Sequence, residues 1–152
     1  MSAALKGFAP FVDLSDVERA EVADLLEERS LSPGETLFAE GDDAESLVLV
    51  VDGALAISSA RAQEPGQVGA GTALGGLALF AVGARESSVS AIERSRLLLL
   101  RREDFLRLAE DSPRTACRVA MAISAELAAH VRAALGHLPA AFASVDRAER
   151  GE

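Results

Sequence analysis

Residues 74–91, LGGLALFAVGARESSVSA, carry the side chains of this chain best suited to chemistry. The pair Gly75-Gly76 leads into the short apolar run Leu77-Ala78-Leu79-Phe80. One cation, Arg85, follows, and after Glu86 come two hydroxyls, Ser87 and Ser88. Glycine lets a backbone turn tightly and approach a ligand closely. A guanidinium offers a planar set of donors that matches phosphate or carboxylate oxygens. The chemistry these residues support is the capture of an anion, phosphate above all. The alternative is structural: Arg85 pairs with a carboxylate inside the fold, and the glycines, like Gly71, serve only a turn.

Other chemistries find less support. There is no Walker loop, no G-x-S-x-G and no Cys/His pair with a third member, so an enzyme is not expected. His130, His137 and the lone Cys117 have no metal-ligand spacing, and Cys117 reads as a small buried hydrophobe. The acids Glu40, Asp42, Asp43 and Glu45 lack the twelve-residue calcium-loop pattern and read as a solvated loop. No metal and no cofactor are expected.

A content of 49% hydrophobic and 26% charged residues is that of a soluble globular chain, and 152 residues suit one domain. The net charge of −9 argues against binding nucleic acid or an anionic membrane surface, both of which call for clustered Lys and Arg. No uninterrupted run of 18 apolar residues predicts a transmembrane helix, and the first residues lack a signal-peptide pattern. A single cysteine fits a reducing compartment, so a cytoplasmic location is expected.

The elements that must position the 74–91 segment follow from local signals. Ser15 and Glu18 form a capping box that opens a helix over about residues 16–29. Pro33-Gly34 reads as a type II turn before a short strand at 36–38. Strands are predicted at 46–51 and 54–58, with Asp52-Gly53 as a hairpin signal between them. Two more are predicted at 87–92 and 95–100, the second buried on both faces. The period then changes. REDFLRLAED reads as a short helix, and Ser112-Pro113 caps and starts a last helix over about 112–136, ending at Gly136. Residues 137–152 read as a flexible tail. The fold class is mainly β with flanking α: an antiparallel β-roll of jelly-roll type with one N-terminal and two C-terminal helices.

With LSPGETLFAEGD (31–42), VVDGALAIS (50–58) and GGLALFAVGARESSVSA (75–91) in place, the chain resembles the cyclic nucleotide-binding domain family, over roughly residues 8–136. That family includes the catabolite activator proteins and the regulatory subunits of cAMP-dependent kinases. Its phosphate-binding cassette reads approximately G-E-[LI]-A-[LF]-x5-R-x-A-[TS]-V-x-A, and the spacing from Gly75 to Arg85, Ser88, Val89 and Ala91 is kept without a gap. The resemblance implies a site made of Gly75, Gly76, Leu77, Ala78, Arg85, Glu86, Ser87 and Ser88. Arg85 and the backbone amides after Gly75 would meet the phosphate, Ser87 or Ser88 would add a hydroxyl, and Leu77 and Ala78 would line the pocket. Glu86 is expected to point away from Arg85, as neighbours on a strand do. Two departures stand out. Gly76 occupies the place of the glutamate that accepts from the ribose 2′-hydroxyl. Ala133-Ala134-Leu135 stand about where the family places hydroxyls that contact adenine.

The last helix also sets Ala116, Ala120, Ile123, Leu127, His130 and Ala134 at near-heptad spacing, either a dimer or partner seam or simple packing onto the roll. The expected function is a non-enzymatic regulatory or sensory module. It would bind a cyclic nucleotide or an altered anionic ligand and signal through its last helix to a protein partner or a homodimer mate. The competing expectation is a ligand-free interaction scaffold. Since only residues 137–152 follow Gly136, no DNA-binding unit is expected in cis.

Overall fold

Two apolar runs, β3 (Ser46–Asp52) and β8 (Ser95–Arg101), pair antiparallel at the centre of a sheet. Their alternation divides the core. Leu47, Leu49, Leu98 and Leu100 join the cluster under the helices, while Val48, Val50, Leu97 and Leu99 join the cluster between the sheets. That is why both runs are continuously hydrophobic. The computed structural model describes residues 1–136; the predicted tail 137–152, with His137, lies outside the described residues. The remaining strands are β1 (Glu27–Leu31), β2 (Thr36–Phe38), β4 (Ala54–Ser58), β5 (Gly66–Gly69), β6 (Ala73–Leu74) and β7 (Ser88–Ala91). One sheet has the order β1-β8-β3-β6 and the other β2-β7-β4-β5. All named pairings are antiparallel, which gives the expected β-roll.

Among the described residues three α-helices flank it: α1 (Asp16–Ala23), α2 (Arg102–Asp111) and α3 (Pro113–Leu135). The Ser15–Glu18 capping box opens α1 with both reciprocal bonds made. Two short 3-10 helices, Ser2–Gly7 and Ala9–Phe11, precede it and place Leu5, Phe8 and Phe11 in the helix-side core. Thr115 donates to Glu21 at 2.8 Å, and Arg118 donates to Glu18 and the Asp13 carbonyl, each at 3.3 Å. The first half of α3 is thereby tied to α1.

Besides the unpredicted strands β5 and β6, local reading failed at four points. The first helix stops at Ala23, and Glu27–Leu31 is an edge strand on β8. EERSL has poor strand propensity, but pairing with β8 supplies backbone partners and places Glu27 and Glu28 beside Arg101 and Arg96. Secondly, Asp52-Gly53 is not a hairpin between paired strands, since β3 and β4 lie in different sheets. Gly53, with φ of 98°, packs so closely on Ser95 and the Arg94 carbonyl that a side chain there would collide. A single residue between strands is too short for a two-residue hairpin loop, so the chain crosses between sheets instead. Thirdly, the Ser112 side chain makes no capping bond, although Pro113 does start α3. Lastly, Gly136 takes a right-handed helical conformation, with φ of −64°, and not the left-handed one of a glycine cap.

Candidate functional site

Gly75 adopts a left-handed backbone, φ 74°, and leads into a four-residue 3-10 helix, Gly76–Leu79. A Cβ on Gly75 would lie 2.5 Å from Nη1 of Arg85, so the glycine is required by the turn and by the guanidinium together. Arg85 is 8% exposed. Its Nη2 donates to the Ser46 carbonyl at 3.0 Å and to Ser46 Oγ at 3.2 Å. The guanidinium carbon lies 4.1 Å from the centre of the Phe38 ring, a cation–π contact. Nε has no hydrogen-bond partner. Among the described residues no carboxylate forms a salt bridge with Arg85. Burial pulls its pKa below the ordinary arginine value, and the negative charge of Glu45 opposes that shift without bridging.

Beside this cation lies a cavity of about 360 Å³, lined by Gly75, Gly76, Leu77, Ala78, Arg85, Glu86 and Ser87 from the cassette. That volume falls in the usual range of small-molecule sites, about 300–1,000 Å³. Leu79 turns fully into the core. Ser88 does not line the cavity: it begins β7, and its hydroxyl accepts from the Glu40 amide at 2.8 Å. Glu86, which the resemblance includes in the site, is on the cavity lining. Residues 85–87 precede β7 and are not strand, so strict alternation does not apply and Glu86 lines the cavity. The 3-10 helix is too short to hold much dipole, which leaves Arg85 as the cationic element of this wall.

The opposite wall is α3. Ile123, Glu126, Leu127 and His130 line the cavity from one helical face. Ile123 meets the cassette directly, for a Cβ on Gly76 would fall 2.9 Å from its Cγ2. A side chain at position 76 therefore requires Ile123 to shift. The residues Ala133-Ala134-Leu135, where polar contacts to a base would be sought by counting, do not line the cavity; Glu126 and His130, earlier on the helix, do. Sequence reasoning missed Glu126, along with Phe38 and Ser46. The i, i+3, i+4, i+7 spacing from Ile123 was the available signal for Glu126. Nothing local marked Ser46, 39 residues before its partner.

The predicted seam on α3 divides in two. Ala116 and Ile123 are buried in the helix-side core with Ala120 packed against it, so this half covers the domain's own roll. Leu127 and His130 turn to the cavity, and Ala134 is exposed. A different stripe lies open along α3: Cys117, Met121, Ser124, Ala128, Val131 and Leu135, all exposed and spaced as a heptad seam. Cys117 is thus exposed and not buried as expected. Among the described residues no group of three or more His, Cys, Asp or Glu is placed to hold a metal ion. No described helix is long and apolar enough to cross a membrane.

Similarity to known proteins agrees with this architecture. The chain is similar in structure to the N-terminal domain of a transcriptional regulator from Streptomyces coelicolor A3(2), with a TM-score of 0.75 and 27% identity over 84% of this chain and 94% of that one. It is similar also to the catabolite activator protein of Thermus thermophilus, with a TM-score of 0.72 and 28% identity over 83% of this chain and 59% of that one. A lysophospholipase, nte1, of Neurospora crassa is 29% identical over 112 residues. Those residues are 70% of this chain but 7% of the lipase. The family model described as "Cyclic nucleotide-binding domain" matches residues 28–112, from the first strand to the start of α3. With more than half of its length inside that match and two neighbours sharing its β-roll, the chain belongs to the cyclic nucleotide-binding domain family.

Proposed function

We propose that this domain is a non-enzymatic regulatory or sensory module that takes a small anionic ligand, a cyclic nucleotide or a related phosphate compound, beside Arg85. One observation carries the reading: Arg85 is a buried cation with no bridging carboxylate among the described residues, on the wall of a cavity large enough for a small molecule. A buried charge without a counterion is costly, and a ligand phosphate supplies one. Gly76 sets the expected strength. Losing the cassette glutamate removes a charged hydrogen bond worth about 1.5–3 kcal/mol, or roughly ten- to over a hundredfold in affinity. Glu126 and His130 are the polar groups that α3 adds to Glu86 and Ser87 of the cassette around such a ligand. Because Ile123 packs on Gly76, a ligand that moves the cassette also moves α3, which is the output element of this reading.

The open stripe Cys117–Leu135 favours a second reading, in which α3 binds a protein partner or a second copy whether or not ligand is present. The two are separated by a thermal-shift titration of the whole chain with cAMP, cGMP and cyclic dinucleotides, on the parent and on Arg85→Met. At a hundred times Kd a ligand adds about 2.7 kcal/mol, or about 5–10 °C for a domain of this size. A rise in the parent that is lost in Arg85→Met supports the ligand site. No rise at millimolar ligand sinks its cyclic nucleotide form and leaves the scaffold.

A further inference from the structure

Arg102 opens α2 outside the cavity, and its side chain is spent on backbone carbonyls. Nη1 lies 3.3 Å from the Ala44 oxygen, 3.2 Å from that of Ala78 and 2.9 Å from that of Ala81. Its own amide donates to the Glu45 carbonyl at 2.8 Å. Among the described residues it joins no salt bridge. The three carbonyls belong to two separate segments, the loop before β3 and the cassette helix with the residues just after it. Ala44 and Ala78 both line the cavity, one from the loop before β3 and one from the cassette helix. Ala44 precedes by two residues Ser46, which holds Arg85; the helix containing Ala78 starts beside Gly75, which abuts Arg85. The end of the cassette is gripped by α2 at a second point, where the Phe80 and Phe105 rings meet edge to face, 5.5 Å apart at 86°.

We infer that Arg102 is a positioning residue for the ligand site: from behind, it fixes the cassette helix to the loop that leads into Ser46 and so sets the gap in which Arg85 meets its ligand. The group suits this task because one charged NH2 shares its two N–H bonds among carbonyls from different segments, and bonds from a charged donor are stronger than neutral ones. This inference rests on the ligand-site reading above, but its geometry does not.

The test uses the whole chain as parent, Arg102→Met and Arg102→Lys, with two readouts. Amide hydrogen exchange without ligand is expected to accelerate in Arg102→Met across residues 76–85 and 42–46, while the β3 and β8 centres stay protected; Arg102→Lys restores part of the protection. Calorimetry with cAMP and cGMP is expected to show a Kd weaker by about ten- to a hundredfold in Arg102→Met, the scale known for outer partners of metal-binding groups, with Arg102→Lys between. Uniform acceleration over the whole roll, unchanged exchange, or a Kd equal to the parent's in Arg102→Met would each overturn the inference. A parent that binds neither nucleotide refutes the ligand reading instead, and the exchange map then still decides whether Arg102 holds the two segments.

Discussion

The contact between Gly76 and Ile123 predicts a specific coupling between the cassette and α3. Gly76→Ala adds a methyl 2.9 Å from Cγ2 of Ile123, a side chain that is 6% exposed and held in a helix. Overpacking of this kind costs about 1–3 kcal/mol. The backbone of Gly76 is not left-handed, so alanine is otherwise permitted there and reduces unfolded-state entropy by about 0.4–1 kcal/mol. The net loss is at most about 2.6 kcal/mol, or up to roughly 10 °C in Tm. Ile123→Ala alone opens a cavity and costs about 2–5 kcal/mol. In the double variant the alanine methyl enters that vacated space, so the Gly76→Ala penalty vanishes and the double is more stable than the sum of the singles by about 1–3 kcal/mol. Urea denaturation of the four proteins measures this cycle. Additivity within about 0.5 kcal/mol would show that α3 does not rest on position 76 and would refute the reasoning.

Further outcomes are expected. Gly75→Ala forces a left-handed alanine, at about 1–2 kcal/mol, and drives a methyl into Arg85, so it lowers Tm and weakens ligand binding together; a stable variant that binds like the parent would contradict the Gly75–Arg85 contact. On acidification, Glu18 and Asp16 govern α1. The bond from the Ser15 amide holds Glu18 below the usual carboxylate range, and the bond from Arg19 does the same for Asp16. A depressed folded pKa gives stability that is present above the unfolded value and lost as pH falls through the folded one, so Tm should fall below about pH 4. The pair Asp16→Asn with Glu18→Gln should flatten that acid limb, and an unchanged limb would exclude these groups as its cause. For the open stripe of α3, Met121→Glu should leave Tm within about 1 °C and, if copies associate there, lower the mass measured by light scattering; equal masses would exclude a seam at Met121.

How much of this was legible in the sequence varied with the range of the forces involved. The capping box, the Pro33-Gly34 turn and the alternation in β3 and β8 are local, and each was readable from a few residues. The edge strand Glu27–Leu31 was not, because its stability comes from β8, some 70 residues later. Asp52-Gly53 carried a true turn signal, but the next strand pairs with β5 and β7 in the other sheet, partners that lie outside the local sequence. At the site, Gly75 and Arg85 were legible as types. Their mutual contact, the Ser46 bonds, the Phe38 face and the α3 wall were not, since they join segments distant in sequence. Gly76 changed most in meaning: a missing acid in the sequence becomes, in the structure, the space into which Ile123 packs.

The most direct test of the central claim is a calorimetric titration of cAMP and cGMP into the whole chain and into Arg85→Met. The account predicts about one ligand per chain in the parent and binding weakened by roughly ten- to a hundredfold in the variant, as loss of a charge-assisted bond requires. No heat in the parent at millimolar nucleotide, or equal affinity in Arg85→Met, would contradict it.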